Sequence, residues 1–381
     1  MLINPIGLNI FAIISYPFLP ATTGGEISTL QILSYMGKVN RLKVFTVEPY
    51  SDVSKTKFDF ELIFGMPFKA SRYMNPLLLV SVIKLIKQHQ SEAVFFDQPF
   101  MGWMIPFIRI FTGKKVFLRS NNIEYLRFKS MGKQWWTLLY MYEKMVYKSV
   151  NLVVFVSDVD QAKAINEFDL KPQQTLLSPY GIPQNQLPEK VQNAREILLN
   201  RHGIGSNQHL ILFFATLNYF PNYEAVNFIL DEILPLMEGA RNNDFCFLIC
   251  GKNLPLTIQE KIQNKSNIQY LGFVEDIETY IDGASLMVNP ILSGGGVKTK
   301  AIDTLGRGQI VISTKTGAEG IEPSVCGSNL RIAADGNWKA FVDLMDQSLE
   351  NPNRNLPTAF FETYSWSGIV ANLMAKLNEK N

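Results

Sequence analysis

The stretch 289–303, Asn-Pro-Ile-Leu-Ser-Gly-Gly-Gly-Val-Lys-Thr-Lys-Ala-Ile-Asp, decides how this chain is read. An apolar run leads into it and an amphipathic run follows, which predicts a strand, a glycine-rich loop and a helix starting near Val297. Gly294, Gly295 and Gly296 allow backbone N–H groups to approach an anion closely. The helix start aims its free amides and positive dipole end at the same place, and Lys298 and Lys300 add full charges. A diphosphate fits such a site. Asp303, one turn beyond Lys300, is placed to accept hydrogen bonds from ribose hydroxyls, which makes the expected ligand a nucleotide. The plainer alternative is a turn followed by an exposed Lys300–Asp303 pair worth a few tenths of a kcal/mol. No Gly-Lys-Ser or Gly-Lys-Thr follows the glycines and no spaced-glycine dinucleotide pattern follows the first strand, so NTPase, kinase and dehydrogenase readings weaken.

Outward from this stretch, short apolar runs alternate with amphipathic ones, the pattern of parallel sheets wrapped by helices. Candidate strands in the first half are 10–15, 42–46, 93–97, 115–119, 152–157 and 175–178. The apolar stretch 10–19, which lacks a basic leader and contains Pro17, reads as the first strand rather than a signal peptide. The pattern restarts at 209–215, 245–250, 268–271, 286–289 and 310–314. An α/β architecture of two Rossmann-like, doubly wound domains is therefore predicted, over 1–187 and 188–360. The closing segment 361–381 is expected to carry a helix over 365–377 that packs back towards the first domain. Gly181, Pro183 and Pro188 mark 179–190 as the linker, where a ligand cleft should open.

Composition narrows the classes. A chain of 381 residues is long for one core, and its 36 basic and 34 acidic side chains are too evenly balanced to predict a nucleic-acid partner. Cys246 and Cys250 lie in an apolar run and Cys326 leaves an odd count, which suits a reducing, cytoplasmic setting. The apolar runs 77–86 and 101–111 are too short and too interrupted to span a membrane.

The segment "GGVKTKAIDTLGRGQIVISTKTGAE" (295–319) resembles the donor-binding segment of the family 4 retaining glycosyltransferases with the GT-B fold. Other segments are similar to the family in the same order along nearly the whole chain. "YPFLPATTGGEIST" (16–29) resembles its first Gly-Gly loop, so the resemblance implies that Gly24 and Gly25 present amides to the donor phosphates or the acceptor. "LRSNNIEYLRF" (118–128) resembles the segment in which a histidine usually contacts the transferred sugar, and here that position is Asn121. "FFATLNYFPNYEAVNFILDEILPLM" (213–237) resembles a subgroup in which Asn218 and Asn222 would reach the donor in place of a basic phosphate contact. "YLGFVEDIETYIDGASLMVNPIL" (270–292) resembles the loop whose backbone around Val274 and Glu275 pairs with the nucleobase.

What the resemblance implies is a retaining, metal-independent glycosyltransferase with no cofactor, taking its sugar from a nucleotide-diphosphate sugar. Amides and lysines, Lys298 foremost, would stabilise the leaving diphosphate while the acceptor attacks from the face it vacates, and no enzymic nucleophile is needed. Asp303 is one methylene shorter than the family's usual glutamate, and Gly295 stands where many members carry a second one. Asn121 hydrogen-bonds a sugar but does not exchange protons near neutral pH as imidazole does. Two alternatives stay open: a catalytically impaired transferase-like protein that binds a nucleotide sugar, and a sugar-nucleotide epimerase of the same fold. Donor hydrolysis or transfer separates the first, and several acid–base side chains beside the sugar would be needed for the second.

Asp158 and Asp160 invite a metal reading, but both fall in an expected first helical turn behind the cap Ser157, where carboxylates are favourable without a metal. His89, His202 and His209 lie in no recognised motif. The segment 128–147, with Arg127 just before it, interleaves Lys129, Lys133 and Lys144 with Trp135, Trp136, Leu139 and Met141. That pattern suits a membrane surface and a lipid-linked acceptor, with a peripheral position at the inner face, or equally a helix packed by its aromatic face. Bacterial members of the resembled family commonly build surface polysaccharides, so a saccharide or lipid-linked acceptor is expected.

Overall fold

The computed structural model describes residues 7–21, 23–48, 56–241, 244–294 and 297–379. Within them the chain divides into two compact units, one running to Gly181 and resuming at Trp366, the other spanning Ile182–Ser365.

The first unit holds seven strands: β1 (Asn9–Ile14), β2 (Arg41–Val47), β3 (Glu61–Met66), β4 (Ala93–Asp97), β5 (Lys115–Ser120), β6 (Leu152–Phe155) and β7 (Thr175–Leu177). They pair in the order β3-β2-β1-β4-β5-β6-β7, each pair parallel. Runs such as Asn9–Ile14 and Ala93–Asp97 are almost wholly buried, as strands covered on both faces must be. Six helices connect them: α1 (Gly24–Val39), α2 (Pro76–Gln88), α3 (Ile105–Thr112), α4 (Glu124–Ser130), α5 (Trp136–Ser149) and α6 (Asp158–Phe168).

Local sequence explains their ends. Thr23 and Glu26 form a capping box at α1, Asn75 caps α2 ahead of Pro76, and Ser157 accepts from the Asp160 amide at α6. Asp158 and Asp160 lie in that first turn. The helices α2, α3, α5 and α6 cover one face of the sheet, while α1 covers the other.

The second unit repeats the plan with β8 (His209–Phe214), β9 (Phe245–Cys250), β10 (Ile268–Gly272), β11 (Leu286–Asn289), β12 (Val311–Thr314) and β13 (Leu330–Ala333). Their order is β10-β9-β8-β11-β12-β13, again all parallel. Its helices are α7 (Ala194–His202), α8 (Phe220–Phe228), α9 (Leu234–Ala240), α10 (Leu256–Gln263), α11 (Ile277–Gly283), α12 (Thr299–Gly306), α13 (Trp338–Glu350) and α14 (Thr358–Tyr364). The last helix, α15 (Trp366–Asn378), buries Trp366, Ile369, Val370 and Leu373 in the same cluster as Ile10, Ala12 and Ile32 of the first unit.

Several expectations need correction. The stretch 10–19 is a strand only as far as Ile14, because Pro17 and Pro20 supply no ladder N–H. Segment 128–147 spans two helices separated by residues 131–135, where Gly132 takes φ +69°. The polar-flanked edge strands β3 and β13 went unrecognised. All three cysteines are buried free thiols. No helix among the described residues is long and apolar enough to cross a membrane.

Candidate functional site

In each unit the strand order reverses beside its first strand, between β1 and β4 and between β8 and β11. The loops leaving the carboxyl ends of the strands open around such a point, where ligands bind in open α/β sheets.

In the second unit, β11 ends at Asn289, whose Nδ2 donates to the Gly317 carbonyl at 2.7 Å and to Ser313 Oγ at 3.1 Å. This fixes the loop after β12 beside the loop after β11. The helix α12 starts at Thr299, two residues later than the sequence predicts, so Lys298 stands at the helix entrance rather than inside it. Gly295 and Gly296 lie outside the described residues.

Gly294 is in the left-handed region at φ +83°, and a Cβ there would meet Pro221 at 2.8 Å and the Tyr219 hydroxyl at 3.1 Å. Ser293 Oγ donates to Glu224 at 2.8 Å. The glycine loop is thereby fastened to the segment that opens α8. Lys298 Nζ folds back onto the Gly294 carbonyl at 2.7 Å. Lys300 Nζ donates to Asn222 Oδ1 at 3.2 Å and sits 4.5 Å from the centre of the Phe213 ring. Asn222 Nδ2 in turn donates to the Thr216 carbonyl at 3.0 Å.

Three groups of this cluster are electrostatically perturbed. Burial, reinforced by Lys298, pulls the Lys300 ammonium down to about 7. Burial lowers Lys298 as well, against the pull of Glu319. Burial pushes the Asp303 carboxyl up to about 7. Two desolvated ammonium groups beside a glycine loop and a helix entrance are costly unless an anion occupies the site. Lys300 and Asp303 are not the exposed helix pair of the plainer alternative: Lys300 is turned to Asn222 and Phe213.

The structure thus brings Gly294, Val297, Lys298, Lys300 and Asn222 into one constellation. Asn218 lies exposed in the loop just before α8, whose first turn carries Asn222. Val274 packs against the core around β9 and β10 while Glu275 is exposed, and no hydrogen bond ties either side chain to the glycine loop among the described residues. Sequence reasoning missed Phe213, Glu224 and Asn289, all apolar-run or helix positions without a motif.

The first unit has its own polar edge, described by itself. The register sets Ile14 beside Asp97 and Asp97 beside Arg119 at the carboxyl ends of β1, β4 and β5. Arg119 Nη1 lies 3.4 Å from Asp97, which also accepts from Thr29 Oγ1 at 2.7 Å and from the Tyr16 hydroxyl at 2.5 Å. Burial and then Asp97 hold the Tyr16 hydroxyl well above the usual phenol range.

Beside this network four buried side-chain atoms have no partner among the described residues: Ser15 Oγ, Gln98 Oε1, Asn121 Oδ1 and Ser178 Oγ. All four follow directly on strand ends, so unspent acceptors and hydroxyls line the place where a polar ligand would enter. Asn121 is held by what surrounds it: Ser120 Oγ meets the Tyr147 hydroxyl and the Asn122 carbonyl, and Glu143 accepts from the Glu124 and Tyr125 amides at 2.9 and 2.7 Å. Gly24 and Gly25 open α1 exposed, with nothing within 4 Å of where a Cβ would stand.

The three histidines have ordinary partners: His89 stacks on Phe11, His202 meets the Tyr280 hydroxyl and His209 lies against Ser285. Among the described residues no three His, Cys, Asp or Glu side chains converge as metal ligands.

Comparison with known proteins agrees with this architecture. Residues 208–351 match the family described as "Glycosyl transferases group 1". The lipopolysaccharide glucosyltransferase WaaG of Escherichia coli is 25% identical over 147 residues, 38% of this chain and 38% of that protein. The chain thus matches little more than a third of that curated relative's length. Among solved structures, Anabaena HepE in complex with UDP superposes with a TM-score of 0.72 at 12% identity over 96% of this chain and 99% of that one. Sucrose-phosphate synthase from Thermosynechococcus elongatus gives 0.69 at 16% identity over 97% and 99%. The second unit thus resembles the group 1 glycosyl transferases over residues 208–351, and the fold is the GT-B fold of two Rossmann-like domains.

Proposed function

We propose that this protein is a retaining glycosyltransferase that moves a sugar from a nucleotide-diphosphate sugar to a saccharide or lipid-linked acceptor in surface glycan synthesis. The observation that carries the reading is the pair of desolvated ammonium groups, Lys298 and Lys300, at the entrance of α12, with Asp303 one turn on. Support comes from HepE, described in complex with UDP, and from WaaG, described as a lipopolysaccharide glucosyltransferase.

In this reading the α12 entrance and the glycine loop grip the diphosphate. Lys298 neutralises the charge that develops as the glycosidic bond to phosphate breaks, and Lys300 holds the second phosphate. Asp303 accepts from the ribose, Asn218 and Asn222 line the phosphate side, and the backbone at Val274 and Glu275 meets the base. In the first unit, taken by itself, Gly24 and Gly25 offer amides at the start of α1 and Asn121 offers an acceptor for a sugar hydroxyl. The leaving phosphate takes the acceptor's proton, so neither cofactor nor metal enters the scheme. The protein works at the cytoplasmic face of the membrane that carries its acceptor.

The test is a screen of nucleotide sugars for nucleoside-diphosphate release, run beside Lys298→Ala and Asp303→Ala. Each variant should bind donor roughly ten- to a hundredfold more weakly, the worth of one charged hydrogen bond. Unchanged donor binding in both would remove the site assignment. One observation favours a second reading: an amide at position 121 cannot shuttle a proton, so a protein that binds donor tightly yet never hydrolyses or transfers it would be an impaired, binding-only relative.

A further inference from the structure

The helices α2, α3 and α5 lie side by side on one face of the first sheet, and each precedes a parallel strand, so all three run in the same direction. Their inward stripes are apolar in the ordinary way, through Leu78, Val82 and Ile86, Ile105 and Ile108, and Leu139 and Val146. Their outward stripes should be polar, and they are not. Leu77 and Val80 are 73% and 66% exposed on α2, Ile110 is 75% exposed on α3, and Leu138 and Met141 are 68% and 67% exposed on α5. Scattered exposed apolar residues are commonplace, but matching stripes on three adjoining helices form one patch.

Each stripe ends in a cation: Lys84 and Lys87 on α2, Lys114 just after α3, and Lys148 at the end of α5. Because the helices are co-directional, these ends gather at one edge, where Arg109, Lys114 and Lys115 line a shallow hollow with Ser149 and Asn151. The charge is lopsided well beyond the near-neutral whole: residues 67–150 contain thirteen Lys and Arg against four Asp and Glu. Three of those four acids, Asp97, Glu124 and Glu143, are buried. Lys148 and Lys144 share Asp169, which leaves the rest of the edge uncompensated by any ion pair among the described residues.

We infer that this three-helix face docks the first unit onto a lipid bilayer rich in anionic headgroups, with the apolar stripes entering the interface and the lysine edge meeting phosphates. An apolar centre beside an excess of cations is the complement of such a surface, and the electrostatic and apolar contributions reinforce one another. A second copy of the chain would instead oppose like charges. The docking rests on the first unit alone and stands or falls separately from the donor site.

Vesicle flotation of the full chain tests it. The wild type should float with phosphatidylcholine vesicles containing a third phosphatidylglycerol and should bind pure phosphatidylcholine at least tenfold more weakly, with salt removing the difference. Ile110→Glu/Leu138→Glu, at two solvent-exposed positions, should keep the wild-type unfolding temperature and lose flotation by at least tenfold. Lys84→Gln/Lys87→Gln/Lys114→Gln should lose the preference for anionic vesicles while retaining the weak binding to neutral ones. Lys298→Ala should float as the wild type does, whatever its donor binding. The inference is overturned by equal binding of the wild type to both vesicles, by wild-type flotation of the double glutamate variant, or by a solution dimer that this variant dissociates.

Discussion

Lys300 Nζ lies 3.2 Å from Asn222 Oδ1, and this hydrogen bond ties the first turn of α12 to the first turn of α8. The pairing is neutral on one side, so it orients the ammonium without cancelling its charge. Phe213 below the ammonium adds a ring face and excludes water. A half-buried lysine held this way carries a desolvation cost that a bound anion would relieve.

At the proposed donor site that cost would make binding pH-dependent. With Lys300 pulled down to about 7, the empty site is increasingly neutral above that pH, and a diphosphate must bring the proton back. Binding of a nucleoside diphosphate at pH 8 should therefore take up a proton and weaken as pH rises through the window from 7 upward. Calorimetry at pH 8 in two buffers of different ionisation enthalpy reads the uptake directly, and Lys300→Met should abolish it. Stability moves with pH in the opposite direction. The unfolded chain keeps this proton up to the ordinary lysine range, so the wild type should gain stability relative to Lys300→Met as pH rises above 7.

Glu143 shows the opposite sign. Burial pushes its carboxyl up to about 7 although the Glu124 and Tyr125 amides donate to it. The folded state therefore holds a proton that the unfolded chain has released, and stability should fall as pH rises from about 4.5 to 7. Relative to Glu143→Gln, which keeps a carbonyl at the start of α4, the wild type should lose on the order of 3 kcal/mol across that window. Urea unfolding of both proteins at pH 5 and pH 7.5 checks this, and a constant difference would sink it.

The fold was legible where physics acts locally, and the site only in part. Parallel strands covered on both faces spell continuous apolar runs, so β1, β4 and β9 stand out, whereas β3 and β13 are edge strands with half-exposed, mixed residues that periodicity cannot separate from loop. The glycine loop and its lysines stand out in the sequence because glycines followed by closely spaced cations at a helix start are the pattern that suits an anion. The network of Tyr16, Asp97 and Arg119 did not, since its members are 81 and 22 residues apart and meet only through strand register. A charged residue at or next to the end of an apolar run, as Asp97 and Arg119 both are, was the available signal.

Gly320 is a test of how tightly the donor loops are packed. It takes φ +79°, and a Cβ there would stand 2.6 Å from Val297 Cγ2, just ahead of the α12 entrance. Gly320→Ala must strain its own backbone and push Val297 aside, at a cost of about 1–3 kcal/mol. Donor affinity should fall roughly tenfold while the first unit is unaffected. Val297→Ala in the same background should restore part of the affinity, because it removes the atom in the way; failure to do so would place the defect in the backbone alone.

Gln98 is held at φ 74° and ψ 151°, a region essentially confined to glycine, directly after β4. Its amide N–H donates to the Arg119 carbonyl at 2.9 Å while its Oε1 is buried without a partner among the described residues. Strain of this kind persists only where the surrounding structure enforces it, and the unspent acceptor supplies a reason for keeping a glutamine where glycine would be easier. Gln98→Gly should therefore stabilise the protein by about 1 kcal/mol, the relief of strain less the added freedom of the unfolded chain. Gln98→Ala keeps the strained backbone and should give no such gain. Both variants delete the same acceptor, so both should raise the KM for the acceptor or the transferred sugar to a similar extent, with diphosphate binding unchanged. Thermal unfolding and steady-state kinetics on the pair separate the two effects. A loss of stability in Gln98→Gly, or a KM that moves in only one of the variants, would show that the side chain is there for packing and not for a ligand.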